Sequence, residues 1–280
     1  MSASDVDLQV VKVSSGKKLF VDVTEGPSMD APAIFFMHGL GSSTSFWEAA
    51  LHDSKLSKTY RLVRYDFDGH GISPVSSLSY GNEAGNLSLD DLAEDLMAVM
   101  EFVGVEKAAG IVGHSLSGLV ASKFAARFPD KVDKLVLVGA MRALDPTAQI
   151  NMLKRATAVQ TAGLSAIVQQ VTSAALSDHT KKHSPLSAAL VRSLVLATRP
   201  AGYAAACHAL AGASNPDYSR IEAKSLVVAG EHDYISNGET TEFLLQQIKG
   251  AEKREMKDIG HWHAVEDPIT LRTILEEWFL

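Results

Sequence analysis

Apolar residues fall along the chain in two alternating rhythms. Short β-rich runs, near residues 8–13, 18–23, 32–37, 61–66, 108–113, 134–139, 224–229 and 252–257, are separated by longer stretches with helical spacing. The stretch near 88–103 is the clearest of these, with Leu89, Leu92, Ala93, Leu96, Val99, Met100 and Val103 on one stripe. Further helices are expected near 116–128, 239–249 and 268–279, and Pro129 and Pro268 punctuate two of them. Strands alternating with helices in this way predict an α/β chain, a mostly parallel eight-stranded sheet flanked by helices.

The alternation stops between about 141 and 219, where Ala-, Leu-, Gln- and Ser-rich sequence carries helical patterns and no strand. The expected organisation is therefore a core domain made of 1–140 and 220–280, interrupted by a helical cap, 141–219. Gly26-Pro27-Ser28-Met29-Asp30-Ala31-Pro32 reads as a turn between early strands, and Gly81-Asn82-Glu83-Ala84-Gly85-Asn86 as a polar loop. The chain contains no internal repeat and no low-complexity segment.

Composition removes several function classes. With 46% hydrophobic and 21% charged residues, the 280-residue chain can bury one large α/β core, which argues against disorder. A net charge of −7, with no Lys/Arg run longer than two, provides no basic surface for nucleic acid. No apolar run approaches the roughly 18 residues of a membrane helix, and Met1-Ser2-Ala3-Ser4-Asp5-Val6-Asp7 lacks the basic-then-apolar pattern of an export signal. A single cysteine, Cys207, excludes an internal disulfide and a thiolate metal cluster. A cytoplasmic location is expected, and the sequon Asn86-Leu87-Ser88 is then irrelevant.

The candidate chemistry starts at Gly113-His114-Ser115-Leu116-Ser117-Gly118, which follows the buried-type strand Ala108-Ala109-Gly110-Ile111-Val112 and opens a helix. A serine held on a sharp strand-to-helix turn needs small residues two before and two after it, here Gly113 and Ser117. Its hydroxyl becomes nucleophilic only when a histidine accepts the proton and a carboxylate orients that histidine. Asp233, after the run Ser225-Leu226-Val227-Val228-Ala229-Gly230, is the candidate carboxylate; Glu231 and Asp66 are its rivals. His261, behind Gly260 in the loop before the last helix, is the candidate base, with His263 as competitor. The strand Ile34-Phe35-Phe36-Met37 ends in His38-Gly39, and the backbone N–H groups of Leu40 and Leu116 are assigned to an oxyanion hole.

Other residues receive smaller roles. His38, Trp47, Arg142, Arg155, Tyr203 and Trp262 are candidate substrate contacts, with His38 also expected to shape the oxyanion loop. His114 is expected to pack beside the serine turn, and His70 to serve a turn. The cluster His261-Trp262-His263 with Glu266 lacks the H-E-x-x-H spacing, so no metal is expected. Side chains and backbone fill every chemical role, so no cofactor is expected either.

These pieces, in this order and together with Asp66-Phe67-Asp68-Gly69-His70-Gly71-Ile72-Ser73, resemble the α/β-hydrolase superfamily over nearly the whole chain. More narrowly, Thr198-Arg199-Pro200-Ala201-Gly202-Tyr203 through Leu210, and Lys154-Arg155-Ala156-Thr157 through Gly163, resemble cap segments of 3-oxoadipate enol-lactonases. The Trp-Phe pair expected later in such a cap is absent around Ser173-Ala174-Ala175-Leu176-Ser177-Asp178. The resemblance implies hydrolysis of a small carboxylic ester or lactone by a Ser115-His261-Asp233 triad through an acyl-enzyme. An acidic substrate would be paired by a cap cation, Arg155, Arg142 or Arg199. The chain would act as a monomer or homodimer on this small molecule, without nucleic acid or membrane. The same triad also serves carbon–carbon bond hydrolysis, perhydrolysis and cyanohydrin cleavage, and a non-catalytic ligand-binding role is the reading from another class.

Overall fold

The computed structural model describes residues 9–76 and 87–280. The polar loop at 81–86, the chain start and residue 8 of the first expected strand lie outside the described residues. Eight strands form one sheet: β1 (Gln9–Lys12), β2 (Lys18–Thr24), β3 (Ala33–Met37), β4 (Arg61–Tyr65), β5 (Gly110–His114), β6 (Lys134–Val138), β7 (Lys224–Gly230) and β8 (Glu252–Met256). Their order across the sheet is β1-β2-β4-β3-β5-β6-β7-β8. Only the β1–β2 and β2–β4 pairs are antiparallel, so β2 alone runs against the rest.

The helices are α1 (Glu48–Leu51), α2 (Leu89–Phe102), α3 (Leu116–Arg127), α4 (Pro146–Ala162), α5 (Val168–Ala175), α6 (Asp178–His183), α7 (Pro185–Ala197), α8 (Pro200–Ala211), α9 (Gly238–Gln247), α10 (His263–Glu266) and α11 (Pro268–Phe279). Those anticipated from periodicity occur within about two residues of the expected ends, the usual fraying. Ser88 and Asp91 explain why α2 starts where it does. The Asp91 N–H donates to Ser88 Oγ at 3.1 Å, and the Ser88 N–H donates to the Asp91 carboxylate at 2.8 Å.

Every residue of β3 and β5 is buried, because helices cover both faces of the sheet centre. The period of two divides the apolar residues between two cores. Phe35, Ile111, Leu135 and Leu137 join α2 and α3 on one side. Ile34, Phe36, Val112, Val136 and Val138 join α11 on the other. At the edge, β8 exposes Lys253, Arg254 and Glu255, charges that discourage pairing with another chain.

Between β6 and β7 the chain carries α4 to α8. The fifth strand of the expected pattern, 108–113, is shifted slightly, since Ala108 only bridges to Val132 before β5 begins at Gly110. Among the described residues, no helix is long and apolar enough to cross a membrane.

Candidate active site

The C-terminal ends of β3, β5, β7 and β8 deliver the candidate residues to one place. Ser115 follows β5 directly with φ +57° and ψ −119°, a left-handed backbone that costs energy for a residue with a Cβ. The turn is held from three directions: the Ser115 N–H donates to Val138 O at 3.0 Å, and Ser115 O accepts from Gly118 at 2.9 Å and Met141 at 3.0 Å. A β-carbon at Gly113 would meet the Ser117 carbonyl, and one at Gly118 would meet Ala140. The sharp turn therefore demands its small residues through crowding against β6 and the start of α3.

Ser115, His261 and Asp233 form one hydrogen-bonded chain. His261 Nε2 lies 2.8 Å from Ser115 Oγ, and His261 Nδ1 lies 2.8 Å from Asp233 Oδ2. The other Asp233 oxygen accepts the N–H groups of Ile235 at 2.9 Å and Ser236 at 2.8 Å. Burial alone would raise the Asp233 pKa, but His261 and these N–H donors outweigh it and hold the carboxyl below its ordinary value. An ionised Asp233 can only accept, so the proton sits on Nδ1, leaving Nε2 to accept from the Ser115 hydroxyl.

The rivals lie elsewhere. Glu231 is exposed and accepts from Lys257 and the Asp258 N–H. Asp66 is buried beneath two turns and accepts the Thr44 N–H at 2.6 Å and the Ile72 N–H at 2.8 Å. Burial pushes its pKa up to about 6 against those donors. His263 donates from Nδ1 to the His261 carbonyl at 2.9 Å, and His114 donates from Nε2 to the same carbonyl at 2.7 Å. Burial lowers the pKa of both rings, and neutral imidazole suits this single-donor role. His114 also stacks on Phe46, with ring centroids 4.3 Å apart.

Glu266 frames the His261 loop, a role that sequence reading missed. Its carboxylate accepts from Gly260 at 2.9 Å, Trp262 at 3.0 Å and Ser177 at 3.0 Å. The His261 N–H donates to Ala175 O at 2.7 Å. The segment between β6 and β7 thus contacts the backbone of His261 itself. A β-carbon at Gly260 would come within 2.7 Å of Ala175 O and Ser177 N, so glycine is what allows that approach.

Leu40 occupies the turn after β3, and Gly39 lets that turn run against the serine. A β-carbon there would lie 3.0 Å from Ser115 Cβ and 2.8 Å from His114 Nδ1. Leu116 is the first residue of α3, where an N–H has no acceptor within its own helix and the helix dipole is positive. A cavity of about 70 Å³ meets Ser115 and His261 and is lined also by Leu40, Arg155, Tyr203 and Trp262. A larger groove of about 420 Å³, beside Asp90, Lys123 and His208, includes none of Ser115, Asp233 and His261 and is not the candidate site.

Of the substrate contacts expected from sequence, Arg155, Tyr203 and Trp262 line the cavity, while His38, Trp47 and Arg142 do not. Trp47 is wholly buried against Phe36 and Phe46. His38 is wholly buried, with both ring nitrogens bonded to backbone. Arg142 lies over the Phe243 ring, 5.1 Å from its centroid, and 4.0 Å from Glu239. Arg199 caps α8 and is not among the lining residues either. Arg155 is half-buried beside the Tyr203 hydroxyl and the Cys207 thiol, and no carboxylate among the described residues pairs with it. Met152, also lining the cavity, shares its face of α4 through i,i+3 spacing, the sequence signal that could have found it. Met141 and Ile235, which lie outside helices and strands, and Val171 of α5 also line the cavity and were missed, because nothing local marks them as facing Ser115.

Residues 32–268 match the profile of the alpha/beta hydrolase fold, and the chain belongs to that family of hydrolases. Within it, the chain is 31% identical over 272 residues to 3-oxoadipate enol-lactonase 1 of Acinetobacter baylyi, covering 95% of this chain and 94% of that one. The structure resembles the enol-lactonase from Burkholderia xenovorans LB400 with a TM-score of 0.85 at 25% identity, covering 96% and 98% of the two chains. A thermophilic esterase from Thermogutta terrifontis shares the fold with a TM-score of 0.85 at 24% identity, over 96% and 97%.

Proposed function

We propose that this hydrolase cleaves a small carboxylic ester or lactone through an acyl-enzyme on Ser115. The observation that carries the reading is the unbroken chain from Ser115 Oγ through His261 to Asp233, with both hydrogen bonds at 2.8 Å. His261 Nε2 takes the Ser115 proton as Oγ attacks the carbonyl carbon, and the carbonyl electron pair moves onto oxygen. The Leu40 and Leu116 N–H groups receive that oxyanion. Collapse of the intermediate breaks the acyl–oxygen bond, and His261 returns its proton to the departing alkoxide. Water then repeats the cycle on the acyl-serine, giving the acid and free Ser115.

For a lactone the leaving oxygen stays tethered to the acyl group, so deacylation must outrun ring closure. Residues 141–219 act in this reading as a cap over the core formed by 1–140 and 220–280. Its contribution to substrate choice is Arg155, a cavity cation whose charge suits a substrate carboxylate. Similarity to an enol-lactonase supports the lactone and the acidic substrate together. A cytoplasmic setting fits the single, buried Cys207.

A fluorophosphonate should label the protein once, with the adduct located on Ser115 by mass spectrometry. Turnover on a panel of p-nitrophenyl esters, γ- and δ-lactones, enol-lactones and dienone carbon–carbon substrates then decides the class. Labelling without hydrolysis of any ester or lactone would overturn the reading.

A further inference from the structure

Two consecutive peptide groups in the turn after β3 are anchored by side chains. The Ser117 hydroxyl, in the first turn of α3, donates to the His38 carbonyl. The His38 ring accepts the Phe67 N–H at Nε2 over 3.1 Å, so in the neutral ring the proton is on Nδ1. That Nδ1–H donates to the Gly39 carbonyl at 2.8 Å. The ring remains neutral because burial, with His70 beside it, pushes its pKa down to about 3. Both side chains are wholly buried, where water does not compete for these bonds.

The described residues contain no cis peptide, and a trans peptide points its C=O and N–H in opposite directions. Anchoring the Gly39 carbonyl therefore sets the direction of the Leu40 N–H. Anchoring the His38 carbonyl holds the peptide before it. Leu40 lines the Ser115 cavity, and Gly39 presses against Ser115.

We propose that Ser117 and His38 are positioning residues that clamp this turn and hold the Leu40 N–H on the oxyanion formed at Ser115. The inference rests on the hydrolase reading above. Ser117 stands where the G-x-S-x-G form of the turn has its second glycine, and a glycine there would satisfy the crowding but supply no donor. The hydroxyl ties the residue two beyond the nucleophile to the residue two before the oxyanion donor. The two halves of the site are thereby kept in register by a bond that neither half makes alone.

The test compares Ser117→Ala, His38→Asn and His38→Gln with the wild type on a p-nitrophenyl ester, separating kcat from KM. It also measures inhibition by an aryl trifluoromethyl ketone, whose adduct with Ser115 bears the same oxyanion. Loss of a complete oxyanion donor costs about 100–1,000-fold in kcat, so a misaimed one should cost about 10–100-fold. Ser117→Ala is expected to lower kcat by that factor with KM little changed, and to weaken the ketone in proportion. Asparagine places an N–H near the position of Nδ1 and glutamine places one near Nε2, so His38→Asn should retain more turnover than His38→Gln. Folded variants with wild-type kcat and ketone affinity would overturn the proposal, as would equal turnover in the two His38 variants. If Ser117→Ala does not fold, the His38 pair decides. Wild-type turnover in Ser115→Ala would overturn the hydrolase reading instead, and the proposal with it.

Discussion

Ser115 carries a strained backbone, and its side chain makes one hydrogen bond, to His261. Ser115→Ala and His261→Ala should each lower turnover by about four orders of magnitude, leaving what the oxyanion donors and binding supply. A folded variant of either kind with a tenth of wild-type kcat would remove that residue from the mechanism. Asp233→Asn tests the electrostatics. The amide cannot hold the proton on Nδ1 or balance an imidazolium, so kcat should fall by about 10⁴-fold. The same variant has a pH signature. A carboxyl held below its ordinary pKa in the folded state contributes stability above the unfolded value, and loses it as pH falls through the folded value. The stability deficit of Asp233→Asn against wild type, measured by urea denaturation, should therefore be largest near neutrality and shrink below the ordinary carboxylate range. A deficit that grows on acidification would contradict the lowered pKa.

At the scale of elements, the His261 loop is framed by α10, the end of α5 and the carboxylate of Glu266. Glu266 ties Gly260 and Trp262, on either side of His261, to Ser177 beyond α5. Glu266→Ala leaves three backbone donors seeking partners and should cost about 2–3 kcal/mol in stability. It should also lower kcat more than it raises KM, because the imidazole loses its frame. Glu266→Gln, which keeps one carbonyl acceptor, should fall between. Chemical denaturation and steady-state kinetics on the two variants check both statements; unchanged kcat in a destabilised Glu266→Ala protein would make the frame purely structural.

Across the whole molecule, the sheet order places β3 beside β5, with β4 and β6 outside them. Chain direction of the connections reverses at this point, and the C-terminal ends on either side leave a crevice that receives substrate in open α/β sheets. The segment from α4 to α8 contributes Met152, Arg155 and Tyr203 to that crevice. It should therefore set preference while the core performs the chemistry. Arg155→Met should raise KM for an acidic lactone by about 10–100-fold, the worth of a charge-assisted hydrogen bond, and leave p-nitrophenyl acetate nearly untouched. Equal effects on both substrates would assign Arg155 to packing beside Tyr203 and Cys207.

The sequence by itself determined the order of the eight strands, the four helices near 88–103, 116–128, 239–249 and 268–279, the helical character of 141–219 and the residues of the Ser115-His261-Asp233 chain. Periodicity is a local property: a period of two or of 3.6 is written into neighbouring residues and survives whatever the rest of the chain does. The serine turn was legible for the same reason, since its small residues and flanking strand and helix are contiguous. What tertiary structure decided were the partners. Trp47 and Arg155 are equally plausible pocket residues in sequence, yet one fills the core against Phe36 and the other faces the cavity. Glu266 acquires its role from Ser177, and Ser117 from His38, residues 89 and 79 positions away. Such contacts depend on strand register and helix packing, which place distant backbone groups within hydrogen-bonding reach, and no local pattern encodes which donor will find which acceptor.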